Sequence, residues 1–119
     1  MNDQFDAVVI GGGPAGSMSA LLLAKLGWRV ALIERGERFR DKACGHCLDL
    51  RAFETLRREH LLDDVRTLAV GKAQRLCLRI PKRQPLNISL ADESCPDGHL
   101  VVPRREFDQL LRDRAAQAG

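Results

Sequence analysis

Residues Asp6 to Glu34 constrain the fold more than any other stretch of the chain. Ala7-Val8-Val9-Ile10 is a short apolar run with β-branched residues, the pattern of a parallel strand buried on both faces. It leads straight into Gly11-Gly12-Gly13-Pro14-Ala15-Gly16, which carries G-x-G-x-x-G at Gly11, Gly13 and Gly16. In such a turn Gly11 permits the sharp exit from the strand, and Gly13 lets a pyrophosphate approach the backbone. Gly16 lets the next helix pack closely on the sheet. Pro14 suits a first helical turn, where its missing N–H has no intrahelical partner to lose. The free N–H groups of this first turn, together with the positive end of the helix dipole, then face the phosphates.

The helix is expected from Pro14 to about Leu26, with Ala20, Leu23, Ala24 and Gly27 toward the sheet and Gly27 as its cap. Arg29 to Glu34 reads as the second strand. Its terminal carboxylate follows Gly16 by 18 residues, close to the spacing at which an acid reaches ribose hydroxyls. A lone glycine motif says little. Here strand, turn, helix, capping glycine, second strand and acid stand in register, which points to a dinucleotide site. NADP fits poorly, because Glu34 would repel a 2′-phosphate.

Composition narrows the partners. The 119 residues make one domain at most, and 45% hydrophobic with 29% charged residues is the balance of a soluble globular protein. The net charge of +3 is small and its basic residues are spread along the chain. With no Tyr, one Trp and no aromatic-basic interleaving, a nucleic-acid surface is not expected. No apolar run is long enough for a transmembrane segment, and the acidic start before the first strand is unlike a secretory signal. We expect a cytoplasmic protein with reduced thiols.

After Glu34 comes a charged loop, Arg35 to Lys42, in which Arg40 and Lys42 are the basic residues placed to reach a pyrophosphate. Ala43-Cys44-Gly45-His46-Cys47 allows three readings. A redox dithiol wants its Cys-x-x-Cys at a helix start after the first strand of its own fold. A zinc site wants a second close pair, whereas Cys77 and Cys95 stand alone and His46, His60 and His99 are scattered. In the third reading Cys44 and Gly45 shape a tight turn beside the cofactor and Cys47 is a small packed residue. Further on, Leu50 to Leu62 has helical spacing. Ala73 to Ile80 alternates as a half-buried strand, Leu86 to Leu90 alternates likewise, and His99 to Val102 is a short strand. Arg105 to Ala118 is the last helix. The middle reads as a small antiparallel excursion inserted after the second parallel strand.

With these residues in place the chain resembles the FAD-dependent oxidoreductases of the aromatic-hydroxylase type, most closely the geranylgeranyl reductase branch, with halogenases and monooxygenases as relatives. The pattern is carried by Asp6 to Gly16, by Glu34-Arg35, by Arg40-Asp41-Lys42, Cys44-Gly45, Leu48 and Arg51-Ala52, and by Arg104, Phe107, Asp108 and Leu111. Phe39 and Leu50 stand where the pattern has proline. Cys47 stands where it has glycine, and its Cβ would crowd the loop if the backbone there turned left-handed. The resemblance implies FAD, with ribose on Glu34, pyrophosphate on Gly11 to Gly16, and further contacts at Arg35, Arg40, Cys44, Gly45 and Arg104. It implies NAD(P)H as a transient reductant, a small-molecule substrate the sequence does not name, and no acid–base residue here, since the cofactor carries the chemistry.

The fold class is therefore α/β: a Rossmann-like FAD/NAD(P)-binding βαβ unit with a small antiparallel excursion, incomplete in itself. Residues 1–119 are expected to be the amino-terminal part of an FAD-binding domain, without its substrate domain or carboxy-terminal half. Two alternatives stand beside it. One is an NAD-binding dehydrogenase domain, the other a truncated nucleotide-binding module without activity.

Overall fold

The structure, a computed structural model, describes residues 4–36, 44 and 46–119. Arg40, Lys42 and Gly45 therefore lie outside the described residues. The chain divides into two compact units, one formed by Met1–Lys42 with Arg104–Gly119, the other by Ala43–Pro103.

The first unit is the βαβ element with a helix added. Strand β1 (Ala7–Ile10) pairs in parallel with β2 (Val30–Ile33), Ala7 opposite Val30 and Ile10 opposite Ile33. Between them runs α1 (Pro14–Lys25). Its exit is closed as the spacing of Gly27 predicts. Gly27 sits at φ +85° and donates its N–H to the Ala24 carbonyl, and Trp28 donates to Leu23, the paired bonds of a Schellman ending. Helix α4 (Arg104–Ala118) packs along α1, and Phe107, Leu111 and Ala115 of α4 are buried, as are Ala20, Leu21 and Ala24 of α1. Because α1 has the sheet on one side and α4 on the other, it buries Ser17 and Leu21 as well as Ala20 and Ala24, while Leu23 is only half-buried.

One expectation fails here. β1 is not buried on both faces: Val8 is 56% and Ile10 85% exposed. Within this unit the helices cover one side of the sheet, so alternate residues of β1, with Ile33 on β2, face outward.

The second unit opens with β3 (Cys47–Leu48) and α2 (Leu50–Arg58). Asp49 caps α2 by accepting the Ala52 N–H at 3.0 Å, and Leu50 takes the first helical position, where a proline also fits. The helix expected over Leu50–Leu62 is two helices. α2 stops at Arg58, the chain reverses through His60 at φ +59°, and α3 (Leu62–Leu68) follows. The apolar spacing runs on through Leu61 and Leu62, both buried, and the left-handed residue is a histidine, so no glycine marks the break.

The strand expected over Ala73–Ile80 is likewise divided at Gln74, into β4 (Gly71–Ala73) and β5 (Arg75–Leu78). β4 joins β3 on either side of β7 (His99–Val101) in an antiparallel sheet of order β3-β7-β4. β5 forms a separate antiparallel hairpin with β6 (Leu86–Ser89). The antiparallel excursion is thus present as two small sheets. Its core is Phe53, Leu56, Leu61, Leu62 and Val65 from the helices, with Leu100 and Val102 from β7 and its end. The hairpin is outside that core: every residue of β5 and β6 is exposed, where a half-buried strand was expected.

Candidate dinucleotide site

The site is built in the first unit, at the carboxyl end of β1 and β2. Gly11 continues the ladder by donating to the Ile33 carbonyl at 2.7 Å, then turns at φ +106°, a conformation that L side chains rarely adopt. Gly13 is the N-cap of α1 and Pro14 its first residue. No side chain caps this helix start and no acid lies in its first turn, so its leading N–H groups and dipole are open to an anion. Gly16 is required by packing. A Cβ there would lie 1.8 Å from the Gly11 carbonyl oxygen, so only glycine lets helix and strand meet at this distance. Ser17, fully buried, ties the turn by donating its hydroxyl to the Gly12 carbonyl at 3.2 Å.

Glu34 follows β2 directly. Its Oε2 accepts the Gly12 N–H at 2.8 Å and its Oε1 the Gly36 N–H at 2.9 Å. Two backbone donors thus hold one carboxylate beside the glycine turn, with the side chain still exposed. This is a negative acceptor fixed beside an uncapped helix start.

The remaining expected residues distribute unevenly. Arg35 is exposed just beyond Glu34. Arg104, the first residue of α4, has its guanidinium on the buried Asp108 carboxylate at 2.6 Å, one helical turn on. Cys44 is exposed in the second unit, where its Sγ accepts the His46 N–H at 3.4 Å. Cys44, Cys47, Cys77 and Cys95 form no disulfide, and among the described residues no three His, Cys, Asp or Glu side chains gather as a metal site. Cys47 lies exposed in β3, and among the described residues beside it His46 takes the left-handed conformation, at φ +59°.

Arg112 is a residue that sequence reasoning missed. A Cβ on Gly12 would lie 3.2 Å from Arg112 Cδ and 3.1 Å from Glu34 Cβ, so this side chain closes over the turn beside the carboxylate. It donates Nε–H to the Asp108 carbonyl at 3.3 Å. Arg112 and Glu34 also line a groove of about 340 Å³ with Val30, Leu32 and Gln109. Its signal was the helical spacing Arg104, Asp108, Arg112, which puts all three on one face of α4.

A parallel βαβ unit with a glycine turn at an uncapped helix start and a carboxylate closing the second strand defines a dinucleotide-binding α/β domain. Residues 4–119 match the family model for an FAD binding domain, and the chain belongs to that family. It is 34% identical to a menaquinone reductase of Mycolicibacterium smegmatis, covering all of this chain and 28% of that protein. It is also 34% identical to a geranylgeranyl diphosphate reductase of Rhodobacter capsulatus, over 98% of this chain and 27% of the relative. Among solved structures, a geranylgeranyl bacteriochlorophyll reductase-like protein from Thermoplasma acidophilum superimposes with TM-score 0.79 at 28% identity, over 97% of this chain and 28% of that one. The myxobacterial chondrochloren halogenase gives TM-score 0.82 at 29% identity, over 97% and 27%. The chain thus spans little more than a quarter of the length of these relatives, which are named as reductases and, for the chondrochloren protein, as an FAD-dependent halogenase. No helix among the described residues is long and apolar enough to cross a membrane.

Proposed function

We propose that residues 1–119 serve as the amino-terminal, FAD-binding part of a flavin-dependent reductase of the geranylgeranyl type. The observation that carries this reading is the juxtaposition of the uncapped α1 start with Glu34, held by the Gly12 and Gly36 N–H groups. The FAD pyrophosphate lies over Gly11, Gly13, Pro14, Ala15 and Gly16, and the adenosine ribose hydroxyls donate to Glu34. Arg35, exposed beyond Glu34, adds positive charge on the adenosine side. Arg40, Cys44, Gly45 and Arg104 are further FAD contacts in this reading, and Arg104 has to share its guanidinium with Asp108.

When bound, FAD supplies hydride or oxygen chemistry, and the residues of this chain bind and orient it. The curated relatives are named for lipid and quinone substrates, so the substrate class proposed is a polyprenyl lipid. Activity on it requires polypeptide equivalent to the rest of those relatives, with NAD(P)H as reductant. An NAD-binding dehydrogenase domain is the weaker reading, because after β2 the chain enters the antiparallel second unit and does not repeat the βαβ pattern.

The test is calorimetric titration of the 119-residue chain with FAD, ADP and NAD. FAD binding that ADP competes away and NAD does not is expected, and NAD binding in place of FAD would overturn the reading. Gly13→Ala places a methyl where the pyrophosphate approaches and is expected to weaken FAD binding about tenfold or more.

A further inference from the structure

Among the described residues two polar side chains are buried, Ser17 and Asp108. Ser17 ties the glycine turn. Asp108 is the charged one, 3% exposed on α4. Its Oδ1 accepts the Nε–H of Arg104 at 2.6 Å, and its main-chain carbonyl accepts the Nε–H of Arg112 at 3.3 Å. The Arg104 side chain is 26% exposed, so the carboxylate is withdrawn from water while the cation keeps a wet edge. Such a pair is a weak device for stability, because apolar residues of similar volume often do as well or better. What it supplies is orientation: a bond at Nε fixes the plane of the guanidinium fork.

The course of α4 sets where that fork stands. A Cβ on Gly119 would lie 3.9 Å from Ala24 Cβ, and Arg112 Cδ lies 3.2 Å from the Cβ position of Gly12, so α4 runs alongside α1 in the same direction. Arg104 stands 15 residues before Gly119, and Gly13 stands 11 residues before Ala24. At the rise of a helix, α4 therefore starts about 6 Å beyond the start of α1, on the side where β1 and β2 end. The start of α1 there is uncapped, carries no acid in its first turn, and is positive. An arginine at that level is repelled by the helix end until an anion joins them, and Asp108 holds it there in the free chain.

We infer that Asp108 is a positioning residue of the dinucleotide site, its carboxylate orienting the Arg104 guanidinium toward the FAD pyrophosphate. Asp108 takes the Nε–H of the fork, and the Nη edge meets a phosphate oxygen. The buried acid thus acts on the cofactor only through Arg104. The inference rests on the FAD reading and deepens it, because it gives the Arg104 contact a fixed geometry.

The experiment is a double-mutant cycle on the 119-residue chain, titrated calorimetrically with FAD and with ADP, which carries the pyrophosphate without the flavin. Asp108→Asn keeps the side-chain size and the main-chain bond to Arg112 and removes the charge. It is expected to weaken both ligands about tenfold, roughly the size of one charge-assisted bond. Arg104→Gln is expected to weaken them about tenfold or more, and the double variant no further than Arg104→Gln alone. A merely structural pair would couple in melting temperature and not in ADP affinity, so both are measured on the same preparations, with circular dichroism to check folding. Arg104→Lys keeps the cation but loses the Nε–H and the planar fork, and is expected to weaken ADP about as much as Asp108→Asn. It carries the test if either of the other variants fails to fold.

Parental ADP affinity in Asp108→Asn overturns the inference. So do losses that add in the double variant, or parental ADP affinity in Arg104→Lys. Each of these results leaves the FAD reading standing, because the parent chain still binds. A folded parent chain that binds neither FAD nor ADP overturns the FAD reading, and the inference falls with it.

Discussion

Whether the strand–helix turn closes at all rests on one missing methyl at Gly16. Its Cβ would stand 1.8 Å from the Gly11 carbonyl oxygen, which is backbone and fixed at both ends by strand and helix. Gly16→Ala is therefore expected to destabilise the chain by about 3 kcal/mol, at the top of the overpacking range, read from urea denaturation. A loss within error would mean that helix and strand separate at little cost. Glu34 works through its acceptors instead. Glu34→Gln exchanges one oxygen for a donor, so a Gly12 or Gly36 N–H loses its acceptor and a ribose hydroxyl loses a charged partner. FAD affinity is expected to fall about tenfold or more by calorimetry, the size of a lost charge-assisted bond. The places of both residues at the turn are legible in the sequence, because the strand–turn–helix geometry and the end of the second strand admit few alternatives. Arg112 is not, because it lies against Gly12 only once α4 has packed on α1.

At the level of elements, legibility follows how each end is marked. The ends of α1 could be read because Pro14 and Gly27 are the residues those positions favour. The end of α2 could not. His60 at φ +59° donates to Arg57 and Leu61 donates to Leu56, the same Schellman pairing that Gly27 and Trp28 make, built without glycine. His60→Gly removes a strained left-handed side chain and is expected to raise unfolding free energy by up to about 1 kcal/mol. Calorimetric melting would show it, and a fall would mean that the His60 side chain contributes more than the strain costs. The break between β4 and β5 was hidden for another reason, since alternation continues across Gln74 while the two halves pair with different strands.

Asp92 gives the second unit a pH dependence. Hydrogen bonds from the Ser94 hydroxyl, then from the Cys95 and Ser94 N–H groups, hold its carboxyl below the ordinary value of 3.8. With the folded pKa the lower, the stabilisation is complete above the unfolded value and is lost as pH falls through the folded one. Asp92→Ala is therefore expected to be less stable than the parent at neutral pH, with the difference vanishing in acid below that range. A difference that persists there would assign it to packing and not to charge.

Across the whole molecule, each of the two units has its own core, and the glycine turn and Glu34 belong to the first. The sequence conveyed the α/β class and the antiparallel excursion. It did not convey that one sheet face stays open, with Val8, Ile10 and Ile33 outward, because a buried parallel strand and a half-covered one share the same apolar run. A small unit with such a face has little stability in reserve, so a ligand that binds only its folded form should be plainly visible in its unfolding. At FAD a hundredfold above its dissociation constant the gain is about 2.7 kcal/mol. In amide hydrogen exchange that corresponds to roughly hundredfold slower exchange for amides that open with the site. The slowing is expected in β1, α1, β2 and α4, the four elements that carry or brace Gly11 to Gly16 and Glu34. FAD that binds with the same affinity yet leaves those amides unprotected would place the cofactor elsewhere on the chain. Protection confined to α1 and the turn, with none in β2, would mean that the pyrophosphate is held and the ribose is not.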